Sequence, residues 1–150
     1  MTMYKSQIEA VLGLDAQSRR TFKGVFAIDK LPTKCEKDSS YVINYDEHDE
    51  VGSHWIAVYK DKKGNTDLFD SAGHPPLDER LSDFIGQTFS YNPYQLQLDL
   101  SNACGFYSVY FIIQRSRNVH ASKILNVLCK SNSDFLVKSY LYARYKPIFT

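Results

Sequence analysis

Apolar positions along the chain switch repeatedly between helical and strand spacing. Ile8, Val11 and Leu12 recur at helical intervals, which predicts a short amphipathic helix over 6–14 that Gly13 closes. Residues 24–28 and 41–45 are runs of β-formers and read as strands; Pro32 stops the first because proline cannot donate to a ladder. A polar loop over 33–40 separates them, and an acidic loop containing His48 follows the second. Residues 54–59 and 66–70 are again rich in β-formers, and the intervening Lys60-Asp61-Lys62-Lys63-Gly64-Asn65 makes them a hairpin. Leu77, Leu81 and Phe84 or Ile85 mark a helix ended by Gly86. Tyr94, Leu96, Leu98 and Leu100 then alternate with Gln95, Gln97 and Asp99, predicting a strand that carries the three polar side chains on one face.

From 103 to 115 the chain is overwhelmingly apolar, with Phe106, Val109, Tyr110 and Ile113 on one stripe, as in a buried helix. Ser101 or Asn102 stands near its N-cap, and Cys104 falls in its first turn. Further helices are expected over 120–130 and 134–145. Helices and strands interspersed in this way predict an α+β fold, a central mixed β-sheet flanked by helices.

The length of 150 residues suits one domain over 1–150, with 43% hydrophobic and 23% charged residues, enough for a core without metal or disulfide support. The 18 Lys+Arg nearly balance 17 Asp+Glu, so no overall field favours nucleic acid as the main partner. The clusters Arg19/Arg20/Lys23, Lys60/Lys62/Lys63 and Arg115/Arg117/Lys123 read as solvated faces. No signal core opens the chain and no apolar run reaches the ~18 residues of a membrane span. A soluble, unsecreted, monomeric protein with no membrane partner is expected. Cys35, Cys104 and Cys129 are odd in number with no close pair, which predicts neither disulfides nor a Cys-rich metal site and suits a reducing compartment. Cys35 reads as a loop thiol and Cys129 as a core thiol.

Cys104 is the residue whose setting suggests chemistry. A thiol becomes an effective nucleophile when a nearby base or helix N-terminus raises its thiolate fraction, and the start of the apolar helix offers the second of these. His54, opening one hairpin strand, can supply the base; Asp70, ending its partner, can orient the imidazole. Gln97, seven residues before Cys104, can donate to the oxyanion together with the Cys104 N–H. Gln95 shares the predicted face, and the spacing favours Gln97. Trp55 can wall the His54 pair from water, and Gly105 would keep the helix start open to substrate. Asp29 could bind substrate backbone, although a turn or salt-bridge role competes. His48, His74 and His120 lack comparable companions and read as surface residues.

Gly52-Ser53-His54-Trp55, Leu68-Phe69-Asp70-Ser71-Ala72-Gly73, Gln97 and Ser101-Asn102-Ala103-Cys104-Gly105-Phe106 together resemble the adenain family, the maturation cysteine proteases of adenoviruses, virophages and Maverick/Polinton elements. The wider clan includes the SUMO- and NEDD8-specific proteases. The resemblance spans about 24–115. It implies the nucleophile Cys104 at the N-terminus of a buried helix, base His54, orienter Asp70, oxyanion donor Gln97, and substrate contacts that include Gly52. It also implies capsid or other virion precursors as substrates, cleaved near small residues, in the virion and infected cell. No cofactor or metal is expected, and the family's activating peptide is a further implied partner; near-neutral charge argues against its DNA dependence. Adenain carries Glu where this chain has Asp70, and either carboxylate serves. Deconjugases carry Asp where this chain has Ala103, which favours the viral branch. Rival readings are a ubiquitin-like-protein deconjugase, an acyl transferase, and an inactive capsid-binding module.

Overall fold

A computed structural model describes residues 2–50, 53–99, 101–130 and 132–150. Gly52 therefore lies outside the described residues. Five strands form one sheet in the order β1-β2-β3-β4-β5: Phe22–Ala27, Ser39–Asn44, Trp55–Lys60, Thr66–Phe69 and Ser90–Tyr91. The outer pairs β1/β2 and β4/β5 are parallel, and β2/β3/β4 are antiparallel, so the sheet is mixed. Helices α1 (Lys5–Leu14), α2 (Glu79–Ile85), α3 (Cys104–Ser116), α4 (Ala121–Leu128) and α5 (Ser133–Arg144) complete the α+β fold. No helix among the described residues is long and apolar enough to cross a membrane.

Every residue of β2 is buried, because both faces of the sheet are covered. Along β3, Trp55, Ala57 and Tyr59 join the cluster containing α1, α3 and α5, while Ile56 and Val58 join Tyr41, Leu68, Leu81 and Ile85 on the face beneath α2. Alternation on a pleated strand thus feeds two cores at once. Helix α3 is buried at every position from 104 to 113, and Phe111 stacks on Phe69 of β4 at 4.5 Å. Helix α3 is thereby fixed against the hairpin that the candidate histidine and aspartate flank.

The structure departs from the sequence expectations at several points. Gly13 lies within α1 rather than closing it; the cap is Asp15. Residues 94–99 form no strand: Leu96 and Gln97 donate their amides to Ser71 O (2.8 and 3.1 Å), and Leu98 donates to Asp134 Oδ1 (3.1 Å). Side chains and a turn satisfy this backbone where the alternation predicted a ladder, and Leu98 is exposed in consequence. The neighbouring strand is instead the short β5. Cys35 lies in a loop as expected, and that loop folds beneath the sheet and buries it; Cys129, expected in the core, is exposed instead, because it caps α4.

Candidate active site

His54 directly precedes β3, and Asp70 directly follows β4, whose Phe69 pairs with Ala57. The hairpin therefore brings the two side chains together. His54 Nε2 lies 2.7 Å from Asp70 Oδ1, with the carboxylate wholly buried and the imidazole 23% exposed. Asp70 is held in turn. Its Oδ1 accepts from Ala72 N (2.8 Å), its backbone N donates to Asn92 Oδ1 (3.0 Å), and Asn92 Nδ2 donates back to Asp70 O. The second carboxylate oxygen, Oδ2, has no hydrogen-bond partner among the described residues; His74 Nδ1 stands 3.7 Å from it.

The Cys104 side chain also acts on the same imidazole. Burial disfavours the imidazolium, but the Asp70 and Cys104 hydrogen bonds and their charges outweigh it and push His54 up to about 10. The Trp55 backbone N–H donates to Cys104 Sγ at 3.4 Å. An N–H aimed at sulfur pairs more strongly with a thiolate than with a thiol. Ser108 Oγ donates to both Trp55 O (3.2 Å) and Cys104 O (2.9 Å), stitching α3 to β3 at this point. Tyr45 lies parallel to the imidazole, with ring centroids 6.3 Å apart, and its hydroxyl accepts from Leu77 N (3.2 Å). Burial raises that hydroxyl to about 12, so it remains a neutral wall.

Gln97 is held at both ends of its amide. Oε1 accepts from the Ser71 hydroxyl, and Nε2 donates to Ser101 O at 3.0 Å, three residues before Cys104. Gln95, its competitor, is exposed and turned toward Gln97 O and Asp99. Trp55 is buried, with Nε1 donating to Met3 O at 3.3 Å. At Gly105 the expected open space is filled: a Cβ there would lie 2.9 Å from Met3 Cβ and 3.2 Å from Trp55 Cδ1. The glycine serves close packing of Met3 and Trp55, not room for a ligand. Asp29 is committed to His48, accepting from both its backbone N (2.8 Å) and its Nδ1. That contact supplies the salt-bridge role that competed with substrate binding.

Asn92, Ser71, Asp134 and His74 carried no expected role. His74, four residues after Asp70, could have been found from spacing; the others reach the site through contacts distant in sequence. Among the described residues no three His, Cys, Asp or Glu side chains converge to hold a metal ion. A cavity of about 1000 Å³ lies at the other end of β3 and β4 around Tyr59, Asp61, Asp67 and Arg115, and includes none of His54, Asp70, Gln97 or Cys104.

No family model matches the chain, and no curated protein sequence does. Solved structures do. The ASFV pS273R protease superposes with a TM-score of 0.58 at 18% identity, over 91% of this chain and 65% of that one. This chain thus spans less than two thirds of that protein's length. The central domain of the uncharacterized Lpg1148 protein from Legionella pneumophila superposes with a TM-score of 0.54 at 10% identity, over 99% and 98%. With its five-stranded mixed sheet and the Cys104 helix buried against it, this chain has the fold of the ASFV pS273R protease.

Proposed function

We propose that the chain is a cysteine endopeptidase with Cys104 as nucleophile, His54 as proton carrier, Asp70 as its orienter and Gln97 as an oxyanion donor. The observation that carries this reading is His54 bonded to a wholly buried carboxylate, with the N–H of the next residue, Trp55, donating to the Cys104 sulfur at the start of α3. The protease fold supports it.

Reaction starts from the Cys104 thiolate paired with the His54 imidazolium. The sulfur attacks the scissile carbonyl carbon, a C–S bond forms, and the carbonyl π pair moves onto oxygen. That oxyanion is met by the Cys104 backbone N–H, in a helix turn whose amides have no partner inside the helix, and by Gln97 Nε2. Collapse breaks the C–N bond, and the leaving amine takes the His54 proton. Neutral His54 then accepts a proton from water as its oxygen attacks the thioester, and a second collapse releases the acid and restores the thiolate–imidazolium pair.

Substrates are capsid or other virion precursor polypeptides, a choice supported by the sequence resemblance and by Ala103, the buried residue that precedes Cys104 where deconjugases carry aspartate. Incubation with such precursors, in parallel with a SUMO-type probe, tests both parts. New termini in the precursors that vanish with Cys104→Ala are expected. Reaction with the SUMO-type probe alone would instead make the chain a deconjugase.

A further inference from the structure

Gln97 has an amide with two chemically opposite ends. If Nε2 faces the reacting carbonyl it stabilises the developing negative charge; if Oε1 does, it repels it. Something must set which end is presented.

Ser101 O can only accept, so the atom 3.0 Å from it is the NH2 end. One Nε2 hydrogen is used there, and the other has no acceptor among the described residues. At the far end of the amide the Ser71 hydroxyl donates to Oε1. Ser71 is wholly buried, so water does not compete for that acceptor. The same residue also holds the main chain, its carbonyl accepting from Leu96 N (2.8 Å) and Gln97 N (3.1 Å). Gly73 brings the two segments into contact: at φ +81° it has no Cβ, and one added there would stand 2.3 Å from the Tyr94 carbonyl carbon.

We propose that Ser71 is a positioning residue for the oxyanion: its hydroxyl caps Gln97 Oε1 and so keeps the free Nε2 hydrogen available to the substrate carbonyl. The inference rests on the peptidase reading above. One turn, closed by Gly73 N donating to Asp70 O at 2.8 Å, then sets both halves of the chemistry. Asp70 orients the base and Ser71, the next residue, orients the oxyanion donor. A shift of this turn would move both together.

A double-mutant cycle of Ser71→Ala and Gln97→Ala, read as steady-state peptide hydrolysis, tests this. Gln97→Ala is expected to lower kcat on the order of 10²-fold, as for loss of one oxyanion donor. Ser71→Ala should lower kcat about tenfold with KM unchanged, and add nothing in the Gln97→Ala background, because a residue acting through Gln97 has no target once the amide is gone. Additive losses, a change confined to KM, or wild-type turnover in Ser71→Ala overturns the assignment of Ser71 alone. Failure of the wild-type chain to hydrolyse any peptide overturns the peptidase reading and this inference with it. Should Ser71→Ala not fold, the wild-type chain gives the answer by NMR: one Gln97 carboxamide proton, that bonded to Ser101 O, must exchange more slowly than the other, and exchange of both at the rate of an exposed glutamine contradicts the proposal.

Discussion

His54 Nε2 and Asp70 Oδ1 stand 2.7 Å apart across the mouth of a hairpin, and the carboxylate has no exposure to water. Desolvation works against the imidazolium, but the Asp70 hydrogen bond, that of Cys104 and their charges hold His54 near 10, against 6.5 for an unperturbed histidine. A group with a raised folded-state pKa contributes stability that is full below its unfolded value and is lost as pH rises through the folded one. Between about pH 6.5 and 10 the fold should therefore lose on the order of a few kcal/mol from this group. An NMR titration of the His54 ring should find its midpoint near 10 in the wild type and well below that in Asp70→Asn; an unchanged midpoint would remove Asp70 as the cause.

Asn92 is the residue on which Asp70 hangs. Its buried amide pairs with both the N–H and the carbonyl of Asp70. Asn92→Ala leaves the buried Asp70 N–H without its partner, at about 1–3 kcal/mol, while Asp70 O keeps the bond from Gly73 N. Urea unfolding should register a loss of that size, and hydrolysis should fall as His54 loses a fixed orienter.

Asp134 fastens the Gln97 loop from its other side. Its oxygens accept from Leu98 N (3.1 Å), Tyr107 OH (2.7 Å) and Ser101 Oγ (2.5 Å). Asp134→Ala should destabilise by about 2–4 kcal/mol, since hydrogen bonds to a charged group carry roughly 1.5–3 kcal/mol. Hydrogen exchange should accelerate at 96–98 before it does in β3. Uniform acceleration across the sheet would mean that the loop has no separate anchor.

Gly105→Ala sets helix propensity against crowding. Alanine favours the helix by about 0.8–1 kcal/mol, but the added methyl meets the proximal Met3 Cβ, and overpacking costs about 1–3 kcal/mol. A net loss near 1 kcal/mol is expected in thermal unfolding. A stabilised variant would show that the Met3 segment yields without cost.

The hairpin, the apolar Cys104 helix and the partnership of His54 with Asp70 were legible in the sequence, because local periodicity and a short turn determine all three. The segment around Gln97 was not. Its alternation of leucine and polar residues matches a strand, yet its amides are claimed by Ser71 and Asp134, partners 26 and 36 residues away for the side-chain contacts. Contacts of that range leave no periodic trace. The exposure of Cys129 leaves no trace in the sequence for a similar reason, since it depends on where α4 ends.

The most direct test of the Cys104–His54–Asp70 account is labelling by a peptide carrying a thiol-reactive electrophile, followed by intact mass and peptide mapping under reducing conditions. One adduct is expected, on Cys104, abolished in Cys104→Ala and slowed at least tenfold in His54→Ala, while exposed Cys129 stays unmodified at the same dose. A folded wild-type chain that is labelled on Cys129 in preference to Cys104, or not at all, would contradict it.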